Sequence, residues 1–431
     1  MSHPHPGLQA RLRRALAVLA CGAASLLATA GHAQGLSYIG QQIVPSGASF
    51  QGTTIGGLSG IDFRASDGRY LALSDDRSGA RFYELSLDLS QFRRSASPGQ
   101  AGVNFLGVTT LRQGDGTPYA ANTVDPEALR LNPATGRLVW SNEGQRGGAG
   151  VPALQNPTVR EMGNDGIALR DYAVPGRYNP AGSVAGTSPG DTGIRNNLAF
   201  ESLSFSTDGR TLYTATENAL VQDGPAASVS QGSMSRILSF DAATGQAGAE
   251  FAYPVAPVVL PPLGGGFATN GLVELLAVGD RQFIAVERSF AVGAATPGVG
   301  PNGLPTGNTI RLFYVDARSA TDVSGFDLTG SQPYTPVSKT LLLDLSDLRQ
   351  DDGSALALDN IEGITWGPEF QGRPTLLLVS DNNFGAAQFT QFVALSVTAP
   401  IPEPGTALLC LAGGAFLLTQ RARFQRSSPS R

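Results

Sequence analysis

The 431-residue sequence predicts an all-β fold, a β-propeller of five or six blades with six preferred, and three observations predict it. The composition is turn-rich, with 54 Gly and 28 Pro, and few apolar stretches keep a helical period. One hairpin pattern recurs five times along the chain. Each copy carries acidic residues at the ends of its strands, away from its turn.

The repeats run from Leu58 to Asp75, Pro126 to Glu143, Phe200 to Glu217, Val273 to Glu287 and Ile361 to Asp381. Each opens with an acid (Ser59 in the first) and alternates apolar residues up to a Gly-containing turn. Those turns are Asp67-Gly68, Thr135-Gly136, Asp208-Gly209, Gly279-Asp280 and Gln371-Gly372. A β-rich run then ends in acid, the pattern of a hairpin. Glu127 and Glu143, Glu201 and Glu217, and Glu362 and Asp381 stand at near-equal distances from their turns. Register is set by the turn, so each pair comes together at the open end. The repeats begin at 59, 127, 201, 274 and 362, wider than a bare blade of roughly 40–50 residues, so each unit is a blade plus insertions. A radial arrangement gathers the acidic ends on one face. The first strand, near Leu36 to Val44, is expected to pair with the last, Phe389 to Val397, and close the ring. A β-sandwich, the alternative, suits five wide-spaced similar hairpins less well. Gln145–Asn197, Gln222–Ser233 and Ala291–Asn308 are polar insertions, either functional loops or decoration.

The two ends are set apart from this domain. Residues 1–33 have a basic cluster (Arg11, Arg13, Arg14), an apolar run from Ala15 to Leu27 and a small-residue exit, the three parts of a signal peptide. Cleavage is expected between Ala30 and Gln34; a lipoprotein cut at Cys21 is the alternative. Residues 34–400 form the propeller domain and 401–431 a tail. The tail runs Pro402-Glu403-Pro404, an apolar stretch from Thr406 to Thr419, then Arg421, Arg423 and Arg426. As a plain feature this is a short C-terminal anchor with a basic stop. It also resembles the PEP-CTERM sorting signal. That resemblance implies an exosortase-type processing enzyme as partner, transient membrane anchoring and a final place in the envelope or outside the cell, with exopolysaccharide a further possible partner.

Both cysteines (Cys21, Cys410) and all three histidines (His3, His5, His32) fall in these end segments. The domain between them therefore has no disulfide, no Cys nucleophile, no Ser-His-Asp triad and no His-bearing zinc site. A net charge of −5, with Lys339 the only lysine, argues against a nucleic-acid partner.

Several stretches together resemble the phytase-like family known by its esterase-like activity of phytase. They are Gly57-Leu58-Ser59-Gly60, Asp125-Pro126-Glu127-Ala128-Leu129, Glu201-Ser202-Leu203-Ser204-Phe205, Val286-Glu287-Arg288, and Asn360-Ile361-Glu362-Gly363 with Ser380-Asp381-Asn382-Asn383. A fainter similarity links the second and last stretches to calcium-dependent β-propeller phytases. It implies six blades, calcium on an acidic face and cleavage of phosphate monoesters by a metal-activated water. Those enzymes use lysines and arginines on the phosphates, and here only arginine can serve.

Converging carboxylates repel and need cations. Arg77, Arg146 and Arg288 follow directly on acidic ends and are candidates to hold a substrate phosphate. An oxygen-only ligand set suits Ca²⁺ or Mg²⁺, and Ca²⁺ is the expected cofactor, with Asp75, Glu127, Glu143, Glu274, Glu287, Glu362 and Asp381 as ligand candidates. Glu201 or Glu217 is the candidate to take a proton from water. The substrate class is a phosphoester small molecule. Three alternatives stay open: acids that merely cap strand ends and pair with Arg, calcium binding without catalysis, and a non-catalytic surface propeller that binds polysaccharide or a protein.

Overall fold

The computed structural model describes residues 35–148 and 152–398; the signal segment, the tail and its Pro402, Glu403 and Pro404 lie outside the described residues. Among the described residues the chain forms strands, turns and short 3₁₀ segments, and no helix is long and apolar enough to cross a membrane. Five antiparallel four-stranded sheets account for the architecture. The innermost strands, in chain order, are Leu58–Arg64, Pro126–Leu131, Phe200–Phe205, Ala268–Gly279 and Asn360–Phe370. Each touches the next, and the fifth touches the first, so the five surround one axis. These sheets are blades 1 to 5.

The ring closes as the sequence predicts. Leu36–Val44 is the outermost strand of blade 5, paired with Thr390–Val397 from Leu36↔Val397 to Val44↔Thr390. The two ends of the domain thus lock one blade together. The preferred count of six is corrected to five. The surplus length goes into connections and outer strands, and no sixth inner strand lies between the five that touch. One supposed insertion is partly sheet: Gln145–Asn197 contains Thr158–Met162 and Ala168–Asp171, the outer strands of blade 2. Their side chains mix polar and apolar on a half-exposed edge, which hides the strand period.

Central strands such as Leu376–Val379 and Phe283–Val286 are apolar on both faces because neighbouring blades cover both. The core is accordingly a series of inter-blade layers: Val286, Ile310 and Ile364 pack between blades 4 and 5, and Leu58, Tyr70 and Val379 between blades 5 and 1. Near the axis a different contact appears. Arg130, from the inner strand of blade 2, donates to Ile364 O at 2.9 Å and pairs with Glu274 of blade 4 at 2.8 Å. This buried pair pins three blades together across the channel.

Candidate functional site

All five hairpins share a flaw in the same place. The inner strand gains a residue relative to its partner between Leu58 and Gly60, Pro126 and Leu129, Phe200 and Ser202, Leu272 and Glu274, and Ile361 and Gly363. The extra residues include Ser59, Glu127, Glu201, Val273 and Glu362. A bulge re-aims the side chain it releases from the strand alternation. In three blades that side chain is a glutamate.

The partner strand contributes the second set. Just beyond the last paired residue stand Asp75, Glu143 and Glu217, whose N–H groups donate to Gly57 O at 2.8 Å, Asp125 O at 2.8 Å and Ala199 O at 2.6 Å. In blade 5 the same place holds Asp381, opposite Asn360. In blade 4 it holds Arg288, opposite Gly271. Four acids and one arginine therefore stand at equivalent positions around the ring.

This register explains two departures from expectation. Glu274 and Glu287 were expected among the ligands, but each lies one residue off the repeat, and a one-residue slip turns a strand side chain to the other face. Glu274 accepts from Leu203 N at 3.1 Å and pairs with Arg130 deeper in the channel; its equivalents are the small Gly60, Ser202 and Gly363. Glu287 turns toward blade 3, where it accepts from Tyr253 Oη at 2.9 Å, and it pairs with Lys339 of its own blade. Arg146 is placed differently from the expected phosphate contact as well. Its guanidinium is buried and donates to the carbonyls of Ala181 at 2.8 Å, Ile194 at 2.9 Å, Ser183 and Thr192, so it holds the 181–194 loop.

The remaining candidates converge, together with one residue that the sequence reading left out of the ligand set. Asp125, before Pro126, places a carboxylate with those of Glu127 and Glu143, all within 4.8 Å of one another. The signal was available, since Asp125 is the only acid directly preceding a bulge glutamate by two residues in an Asp-Pro-Glu run. Asp125 also pairs with Arg77 at 2.9 Å. Arg288 lies 3.1 Å from Glu362 and 3.5 Å from Glu217. Asn360 donates to Glu362 at 2.9 Å and to Asp381 at 3.2 Å, and Asn383 N donates to Asp381 at 2.6 Å.

Asp125, Glu127, Glu143, Glu201, Glu217, Glu362 and Asp381 are all buried. Asp75 is half-buried as a residue, but its Oδ1 is sealed from solvent and has no partner. Both oxygens of Glu217 also lack a hydrogen bond. Eight carboxylates thus face two arginines. Burial pushes every one of these carboxyls above its ordinary range. Like charge adds to it: Asp381, Glu362 and Asp125 act on Asp75, and Glu201 and Asp125 act on Glu127. Asp125, eased by Arg77, reaches about 6, and Glu217, eased by Arg288, about 7.

Two glycines make this crowding possible. A Cβ on Gly271 would sit 2.1 Å from Glu217 Cγ, and one on Gly57 (φ +62°) 1.9 Å from Asp75 Oδ1. Each carboxylate occupies room that any other residue would fill.

Beside the cluster opens a cleft of about 970 Å³, bounded by blades 3, 4 and 5 and the 291–308 connection. Glu217, Arg288, Asp359 and Glu362 are its charged lining; Phe267, Phe290, Leu198 and Leu304 are its largest apolar members.

The donor set fits a hard divalent cation. It is all oxygen, it includes buried oxygens with no partner, and the negative charge exceeds what Arg77 and Arg288 balance. Asp125, Glu127 and Glu143 are the group best placed to hold one.

Residues 53–384 match the model of the phytase-like family, described as esterase-like activity of phytase. No curated protein matches the chain. Among solved structures, the Dos1 propeller aligns at 8% identity and TM-score 0.31, covering 80% of this chain and 68% of that one. The Cps50 (Swd1) β-propeller domain of Myceliophteria thermophila aligns at 10% identity and TM-score 0.32, covering 80% and 99%. A gluconolactonase of Xanthomonas campestris aligns at 12% identity and TM-score 0.30, covering 77% and 70%.

Proposed function

The chain belongs to the phytase-like family, and we propose that it is an exported hydrolase of phosphate esters that depends on calcium bound at the acidic end of its channel. The observation that carries this is the excess of buried carboxylate beside an open cleft. Eight acids and two arginines are an unbalanced charge for a structural device, and a balanced one for a site that takes up cations.

Asp125, Glu127 and Glu143 would hold the cation, with Asp75 and Glu201 adjacent. When bound, calcium would polarise a phosphoryl oxygen and acidify a coordinated water. The chain's own residues divide the remaining work. Arg288 presents an unpartnered, buried Nε at the cleft and binds the phosphate anion. Glu217 lines the same cleft with neither oxygen hydrogen-bonded, and with a pKa of about 7 its carboxylate accepts a proton from water at neutral pH. Glu201, buried against Glu143 and Glu217, keeps their charges coupled. Gln145 bonds Arg77, which holds Asp125 in place.

Export rests on the signal-like residues 1–33, and retention or release at the envelope on the Pro402-Glu403-Pro404 tail. The test is a panel of aryl phosphates, nucleotides and phytate, assayed in millimolar calcium and in chelator. Hydrolysis is expected with calcium only, and Glu217→Gln should lower kcat by about two to four orders of magnitude without unfolding the domain. A wild-type protein inert on the whole panel would leave a calcium-binding surface propeller as the better account.

A further inference from the structure

The cleft has a chemistry of its own that narrows the substrate, on the assumption that the hydrolase proposal holds. Its charged lining is one arginine against three acids: Arg288, Glu217, Asp359 and Glu362. Arg77 is tied to Asp125 and Gln145, Arg146 to loop carbonyls, and the lone lysine, Lys339, to Glu287. A polyphosphorylated substrate would bring many anionic groups to a lining whose one cation, Arg288, already faces Glu217 and Glu362.

Part of the lining is apolar and exposed. Phe267 is 64% exposed and Leu304 62%, and beyond them Leu263 is 76% exposed. Phe267 lies 6.3 Å from Phe290, ring centre to ring centre. This part is built, not loose. Leu263 N donates to Val292 O at 2.8 Å and Val292 N to Phe267 O at 3.0 Å, tying the 263–267 loop to the 291–308 connection. Asn302 donates to Ala387 O at 3.3 Å and Thr306 to Leu358 O at 2.5 Å, tying that connection to blade 5. Exposed large apolar side chains held in fixed positions beside a polar site mark a binding surface. Deeper in, Asn308 is 4% exposed and its Oδ1 has no partner. It is an acceptor awaiting a donor such as a substrate hydroxyl or amide.

We propose that the substrate is a phosphate ester with one anionic group and an apolar body, an aryl or alkyl monophosphate, and that Phe267 and Leu304 set this preference. Hydrolysis forms one P–O bond from water and breaks the P–O bond to the leaving alcohol. Water's proton passes to Glu217, the departing alkoxide takes a proton from solvent and leaves as the alcohol, and Glu217 returns its proton to solvent; the apolar body of the substrate lies against Phe267 and Leu304.

The experiment compares kcat/KM for decyl phosphate, ethyl phosphate and phytate in calcium, for wild type and for the Phe267→Ser/Leu304→Ser double variant. Decyl phosphate should exceed ethyl phosphate by about tenfold or more in wild type, because buried methylenes add transition-state binding. The ratio should fall toward one in the double variant, and phytate should be the poorest substrate. Faster turnover of phytate than of decyl phosphate would overturn the inference while leaving the hydrolase proposal standing. If no ester is cleaved, the hydrolase proposal fails, and calorimetry decides the cleft separately. Binding of decylphosphonate, lost in the double variant, would still support a site for one anionic group with an apolar body. Binding of phytate alone, or of neither, would overturn it.

Discussion

Arg236 and Arg288 sit in neighbouring blades, and each faces two carboxylates. Arg236 is fully buried in blade 3. It grips Asp223 through two bonds of 2.6 and 2.9 Å, donates to Glu250 at 2.8 Å, and gives its remaining protons to Val323 O at 3.0 Å and Phe326 O at 2.8 Å. Every donor is used. Arg288 faces Glu217 and Glu362, yet its Nε and both oxygens of Glu217 have no hydrogen bond, and six further acids crowd round. The difference is one of purpose. A buried charge kept for the fold is matched group for group, since an unmatched one costs several kcal/mol. A cluster left unmatched at the end of a channel, beside a cleft, holds its capacity for a ligand.

The comparison breaks most visibly under substitution. Arg236→Ala leaves Asp223 as a buried, unpaired charge and Glu250 with only Arg177, 3.6 Å away, and should destabilise the domain by about 3–5 kcal/mol. Urea unfolding should give the same loss in calcium and in chelator. A loss that depended on calcium would mean the two clusters are coupled.

At the other cluster the effect should have the opposite character. Calcium should stabilise the wild type by about 2.7 kcal/mol at 100 times its Kd, through binding to the folded state alone. Glu143→Gln should remove most of that gain. In chelator the same variant should be at least as stable as wild type, because it deletes an uncompensated charge; a chelator-only destabilisation would argue for a structural acid.

Protonation sharpens the contrast further. Asp125 and Glu217 have folded pKa values of about 6 and 7, above their unfolded ones. The folded state therefore binds more protons, and the metal-free protein should lose stability as pH rises from about 4 toward 7. Melting curves at pH 5 and 8 in chelator should show the fall, and calcium should restore most of it at pH 8. Hydrolysis should rise with pH through about 7, as Glu217 loses its proton.

The smallest predicted change is Gly271→Ala. Its Cβ would press on Glu217 Cγ, so Glu217 must move, at a cost of about 1–3 kcal/mol. The kcat should fall more than KM rises. An unchanged kcat would separate Glu217's position from catalysis.

How far the sequence carried this account depends on the kind of residue. Asp75, Glu143, Glu217 and Asp381 end strands at a fixed distance from a turn, so turn symmetry placed them. The closing strand Leu36–Val44 was legible because it is a lone β-rich run before the first repeat. The bulges were not legible: nothing in Glu127-Ala128 or Glu201-Ser202 marks the extra residue, since a bulge is set by the neighbouring strand. That is why blade 4 was misjudged by one position, with Glu274 and Glu287 chosen where Val273 and Arg288 stand. Arg288 thus emerged as the cation within the ring of acids only once register was known. Arg146 looked free because it follows Glu143, and the loop carbonyls it serves lie 35 to 48 residues away in sequence. The preference for six blades over five failed for a related reason, because spacing measures chain length and the ring measures only inner strands.

The most direct test of the central claim is a calcium titration of the purified domain followed by its thermal unfolding, at pH 8 and with magnesium as comparison. The account predicts a saturable rise in melting temperature with calcium that Glu143→Gln abolishes. Identical melting in calcium and in chelator would contradict it, and would make the acidic end of the channel a structural feature after all.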